Sequence, residues 1–197
     1  MNAPVRSVLR SKEEVLRAIA DEISIPDHMD EKARGRYRSI GDWLNRHASS
    51  LKAFDPHLSA QGSFMLGTVT RPVGDRDCYD VDVVARLAAA STGMMSQAQL
   101  KAAFGVEIRA YVQAYSMASP HSDGRRCWTL DYADEASFHL DILPCVDAPQ
   151  EFRARLLAAG VVEAIGVSAA TAVAITDKLS PDYEVRGGVW ASRLRCL

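Results

Sequence analysis

The chain has 197 residues, 48% hydrophobic and 24% charged, with a formal net charge of −2. Those proportions belong to a globular protein able to bury a sizeable core in one domain. Without a block of like charge they give no reason to expect binding of long nucleic acid.

There is no amino-terminal apolar region and no run near the ~20 residues of a bilayer span, so no membrane partner is expected. Cys78, Cys127, Cys145 and Cys196 are scattered, and no CxxC pair or Cys/His cluster suggests zinc. The expectation is a cytoplasmic protein with free thiols.

In chain order, Ser11-Lys12-Glu13-Glu14 is a capping box, and Val15, Leu16, Ile19 and Ile23 follow at helical spacing until Pro26 ends that helix. A second helix is expected from near Asp27 to about Leu51, with Tyr37, Ile40, Trp43, Leu44 and His47 on its inner side. Its basic series, Lys32, Arg34, Arg36 and Arg38, reads as a solvated face. From His57 a short strand, HLSAQ, enters Gly62-Ser63. A small helical turn follows, then a loop with Arg71, Pro72 and Gly74 and the strand CYDVDVV. Ser96 caps a helix whose Leu100, Phe104, Ile108, Tyr111 and Tyr115 form one core stripe.

CWTLDYADEASFHLDILPCVD reads as a hairpin. Trp128, Leu130 and Tyr132 alternate on its first strand, Phe138, Leu140 and Ile142 on its second, and Asp134 and Glu135 sit in the turn. From Gln150 the chain is alanine-rich and helical, and Thr171 to Asp177 is expected to be a last core strand. The order of elements predicts an α+β fold.

The acids in CYDVDVV raise the functional question. Alternation puts Asp80, Asp82 and Val84 on one strand face and Val81 and Val83 on the other. One reading is a half-exposed strand with ordinary surface acids. The other is a divalent-metal site, because like charges this close are best tolerated around a cation. A Gly-Ser turn precedes the pair by under twenty residues, and Asp141 follows some sixty residues later on the polar side of its own strand. Backbone N–H groups for phosphate plus three carboxylates without His or Cys suit Mg²⁺ and phosphoryl chemistry.

QGSFMLGTVTRP, YDVDVV and FHLDILP together resemble the nucleotidyltransferase core of the DNA polymerase β superfamily, and more narrowly the bacterial cGAS/DncV-like nucleotidyltransferases (CD-NTases). The resemblance covers roughly residues 57–177. It implies a polymerase β-like palm, a mixed or antiparallel sheet flanked by helices. It also implies an enzyme that joins nucleoside triphosphates, ATP and GTP among them, into cyclic di- or trinucleotides for antiphage defence.

By position it makes Asp80, Asp82 and Asp141 the catalytic metal ligands, for Mg²⁺ or Mn²⁺, and Gln61, Gly62 and Ser63 the donor-triphosphate site. Asp75, Asp77 and Asp131 match no role and read as loop and hairpin surface, and Arg71 is open between phosphate binding and structure. Residues 1–55 are expected to be helices packing on the core, 56–178 the catalytic core, and 179–197 an atypical tail where the resemblance implies a further helical domain. The chain therefore reads as carboxy-terminally truncated. Regulatory protein partners belong to the same expectation. The alternatives are a nucleotidyltransferase that adenylylates a protein or small molecule, and an inactive remnant.

Overall fold

A computed structural model describes residues 11–72, 74, 78–117, 122–132, 138–160 and 168–194. Its centre is a seven-stranded mixed sheet with the order β1-β2-β5-β4-β3, extended by β6 on β5 and β7 on β6. β1 (Pro56–Ala60) runs antiparallel to β2 (Tyr79–Leu87), and β2 runs parallel to β5 (Phe138–Asp147). β4 (Trp128–Tyr132) is antiparallel to the first half of β5, with the short β3 (Ser122–Asp123) at its edge. Where β4 stops, β6 (Ala172–Ile175) takes its place beside β5, and β7 (Ala191–Leu194) pairs with β6. The hairpin turn, with Asp134 and Glu135, lies outside the described residues, as do Asp75, Asp77 and Cys196.

One face of the sheet carries the main core. Val81, Val83, Leu130, Leu140 and Ile142 pack against Ile40 and Leu44 of α2 (Asp27–Asn45) and Leu100, Phe104 and Ile108 of α4 (Gln97–Ala114). Phe104 is fully buried, and burial of a side chain that size contributes roughly 2–3 kcal/mol. α4 begins as the sequence demands, with Ser96 and Gln99 in a reciprocal capping box. Glu107 of α4 receives Arg46 and the Ser50 backbone and hydroxyl, fixing the turn after α2. Burial pushes its carboxyl upward, but these hydrogen bonds outweigh it and hold the pKa below the usual range.

Several expectations need correcting. α2 ends at Asn45, because Arg46 turns extended with ψ 155°, so His47 lies beyond the helix and is exposed. α1 (Lys12–Ile23) has its Ser11/Glu14 capping box, yet none of its residues is buried and Val15, Leu16, Ile19 and Ile23 remain exposed. Among the described residues its carboxy-terminal end is tied down by a Ser24–Thr70 bridge and the Arg71 N–H on the Ile23 carbonyl. Tyr115 sits past the end of α4 and is exposed, covered in part by Trp43 and Tyr111 rings. Among the basic series, Arg34 pairs with Asp30 and Arg36 lies 4.3 Å over the Tyr132 ring, so that face is not simply solvated. Thr171–Asp177 is not the last strand: the tail returns as β7 and buries Trp190.

Candidate active site

The opposite face of the sheet carries the acids. Tyr79, Val81 and Val83 turn inward, which forces Asp80 and Asp82 outward. On β5 the inward Phe138, Leu140 and Ile142 likewise expose His139 and Asp141. The parallel register sets Asp82 directly beside Asp141 and Asp80 beside His139. The antiparallel register of β4 then adds Thr129 beside Asp141 and Asp131 beside His139. Two polar rows cross three strands: Asp82, Asp141, Thr129 and, one step along, Asp80, His139, Asp131. Neighbouring strands lie about 4.8 Å apart, so the Asp82 and Asp141 carboxylates leave the same face side by side.

The Gly-Ser turn closes over this row. The Gln61 N–H donates to the Asp82 carbonyl at 2.8 Å, joining the end of β1 to the middle of β2. Gly62 has φ +60°, and a Cβ there would stand 2.9 Å from Oδ2 of Asp82. The position requires glycine both for its left-handed backbone and for that close approach. Ser63 follows at the start of α3 (Gly62–Leu66), half-buried.

Electrostatics mark Asp82 as the strained member. Loss of solvent under the turn, then the charges of Asp141 and Asp80, push its carboxyl above the ordinary range. Asp141 has a fixed partner, with the Thr129 hydroxyl donating to its Oδ1 at 2.5 Å. The Cys127 thiol is also pushed up, by burial first and then by Asp141. In the second row His139 Nδ1 pairs with Oδ1 of Asp131.

A cleft of about 290 Å³ opens beside the first row, with Gln61, Asp82, Asp141, Arg126 and Cys127 at its polar end. Its apolar side is a small second core of Val84, Leu143, Val173 and Ile175. Asp80, Gly62 and Ser63 stand outside the lining of this cleft. The Arg71 Nε donates to the Ser24 carbonyl at 2.8 Å.

The three acids fit a divalent cation by chemistry: an all-oxygen set, on one face, with its central carboxyl destabilised by its neighbours. Among the described residues no three His, Cys, Asp or Glu side chains already converge as ligands. Asp141 spends one oxygen on Thr129.

The sequence reading missed Arg126, Cys127, Thr129 and the Asp131–His139 pair. Cys127, Thr129 and Asp131 are the alternate positions of a strand whose apolar half was recognised. Once β4 and β5 paired, that alternation set Thr129 beside Asp141 and Asp131 beside His139, with Cys127 just ahead of β4. Arg126 left no comparable signal.

Residues 56–144 match the family model described as cyclic GMP-AMP synthase DncV-like, nucleotidyltransferase domain. The chain is 31% identical over 130 residues to the cyclic dinucleotide synthase CdnG of Bradyrhizobium diazoefficiens, covering 66% of this chain and 29% of that protein. It is 25% identical over 132 residues to the c-di-GMP synthase of Roseivirga ehrenbergii, covering 67% of this chain and 33% of that one. The chain thus spans about a third of the length of these curated relatives.

Among solved structures, CdnG of Bradyrhizobium diazoefficiens in complex with GTP superposes with a TM-score of 0.55 at 27% identity, over 71% of this chain and 39% of that one. Vibrio cholerae DncV with a linear intermediate shares the fold at 11% identity, with a TM-score of 0.52 over 80% of this chain and 53% of that one. The α+β, polymerase β-like palm is therefore the fold of this chain.

Proposed function

We propose a function from one premise, that residues 56–144 of this chain are a DncV-like nucleotidyltransferase domain. The cleft joins nucleoside triphosphates, ATP and GTP among them, into a cyclic di- or trinucleotide, each new phosphodiester bond breaking the donor's α–β anhydride and releasing pyrophosphate. The observation that carries this reading is the register pairing of Asp82 with Asp141 beneath the Gly62 turn. It sets the Gly62 turn and the Asp141 carboxylate on one row, which supports reading the first as phosphate-binding backbone and the second as the acceptor-activating acid.

Gln61, Gly62 and Ser63 hold the donor triphosphate through N–H groups and the Ser63 hydroxyl. Asp141 receives the proton of the acceptor ribose hydroxyl, while Thr129 holds its other oxygen and so its orientation. Asp80, Asp82 and Asp141 would hold Mg²⁺, or Mn²⁺ in its place. The cation supplies charge neutralisation for the carboxylates and the transferring phosphate. Residues 56–178 form the catalytic core in this reading, residues 1–55 precede it, and 179–197 join it through β7.

The test is incubation with labelled ATP and GTP and Mg²⁺, followed by nuclease digestion. A nuclease-resistant nucleotide product is expected, and it disappears in Ser63→Ala at limiting triphosphate. Label transferred to protein would replace this reading with adenylylation, and no product at all would remove it for this chain.

A further inference from the structure

Arg126 is the charged wall of the cleft that the reading above does not use. It lines the same cavity as Asp82 and Asp141, yet its guanidinium is directed to Asp177, with Nε at 3.0 Å and Nη2 at 2.9 Å from Oδ2. Asp177 is 7% exposed and is held in turn: its N–H donates to buried Gln97, and the Leu179 N–H donates to its Oδ1. Arg125 already takes both of its oxygens, at 2.6 and 2.7 Å. One carboxylate therefore carries two guanidiniums, which leaves a positive charge in excess at the rim.

That arrangement fixes Arg126 without cancelling it. Its Nε and Nη2 edge is committed to Asp177, and among the described residues no hydrogen bond engages the Nη1 end, which is open to a ligand in the cleft. The Thr176 hydroxyl also anchors the Arg126 carbonyl at 2.9 Å, tying its backbone to the end of β6. A cation serving only to offset the acids would point at them. Among the described residues its ion pair is with Asp177.

The strand order gives the position meaning. The Gly62-Ser63 turn lies on the β1 side of the acid row, and Arg126 lies on the β4 and β6 side. Joining two nucleotides brings two sets of phosphates to one row of carboxylates, and among the described residues the glycine turn that could receive phosphate lies on the β1 side. We propose that Arg126, held by Asp177, binds phosphate oxygens of the nucleoside triphosphate lying on the β4 side, opposite the Gly62-Ser63 turn. The inference rests on the nucleotidyltransferase reading and adds a residue to it. A guanidinium end matches two phosphate oxygens at once, which an ammonium cannot do.

The experiment compares equilibrium binding of GTP and of guanosine, with Ca²⁺ in place of Mg²⁺ to suppress turnover, in wild type, R126Q, R126K, R125Q and S63A. R126Q is expected to weaken GTP about tenfold and leave guanosine unchanged. R126K should weaken GTP by a smaller factor, about threefold. R125Q should lower the unfolding midpoint and weaken GTP less than R126Q does, because Arg125 does not line the cleft and contributes only through the charge it shares with Arg126 on Asp177. Wild-type GTP affinity in R126Q, with S63A still weakened, overturns the inference and leaves the nucleotidyltransferase reading standing. Wild-type protein that binds GTP no better than guanosine overturns both. Should R126Q fail to fold, R126K decides, and unchanged GTP affinity there overturns the proposal.

Discussion

The two ends of the cleft treat a carboxylate in opposite ways. At one end Asp82 is crowded by Gly62 and repelled by Asp141 and Asp80, so its carboxyl is driven upward. At the other, Asp177 is met by Arg125, Arg126 and a backbone N–H, and its carboxyl is driven far below the usual range, with Arg125 the largest cause. Asp82 lines the cleft directly, and Asp177 borders it through Arg126. The difference is in what surrounds them: the first is left for something outside the chain to neutralise, and the second is neutralised by the chain itself. Charge repulsion left unresolved is a cost to the fold, and it is resolved when a cation binds.

The largest expected effect comes from removing charge at the strained end. Asp82→Asn should lower nucleotide turnover at least about 1,000-fold, equivalent to about 4 kcal/mol of barrier. The unliganded protein should melt no lower than wild type, since Val81 and Val83 on the inward face carry the packing. Mg²⁺ with GTP should raise the wild-type melting temperature and leave that of the variant nearly unchanged. A variant that melts well below wild type without ligand would mean that Asp82 is a structural acid, and the contrast with Asp177 would collapse.

Next in size is the paired end. Asp177→Asn should cost about 2 kcal/mol in urea unfolding at pH 7, the scale of charge-assisted hydrogen bonds lost at a buried acid. The sign of the pH dependence follows from the direction of the shift. Because the folded state holds Asp177 below its unfolded pKa of about 3.9, its contribution is present above about pH 4 and is lost as the pH falls further. The deficit of the variant should therefore shrink on acidification below about pH 4. Asp82 works the other way: its ionised form opposes folding at neutral pH, and that cost fades as the pH falls through its raised folded pKa. A deficit in Asp177→Asn that stays constant from pH 7 to 3 would count against the pairing.

The smallest effect sharpens the comparison within the acid row. Thr129→Val keeps volume but removes the donor on Asp141. It should cost about 1 kcal/mol of transition-state stabilisation, seen as roughly a fivefold drop in kcat with KM little changed. Thr129→Ser should restore most of it. A change confined to KM would assign Thr129 to nucleotide binding instead of holding Asp141.

Much of the site was legible in the sequence because local rules wrote it. The alternation of β2 and β5 requires Asp80, Asp82 and Asp141 to face away from the valines, leucines and phenylalanine that fill the core. Gly62 and the two capping boxes announce a turn and two helix starts within a few residues of chain. Where a side chain went wrong, the cause was a partner distant in sequence. The stripe of α1 has the spacing of a buried face, yet Val15, Leu16, Ile19 and Ile23 are exposed. Periodicity states which residues share a face and is silent on what covers it. His47 failed for a related reason, since the helix ended where Arg46 and Ser50 found Glu107 on α4.

By itself, then, the sequence determined strand and helix periods, the face each acid occupies, the glycine turn, and the resemblance carried by those motifs in order. Only the tertiary structure decided that β2 and β5 are parallel neighbours in the register that sets Asp82 against Asp141. It also decided that β6 replaces β4 along β5 and so brings Asp177 to Arg126, 51 residues apart in the chain. Strand pairing and ion pairing depend on which segments meet in space. That choice is made by the whole core packing at once, and no local pattern of residues encodes it.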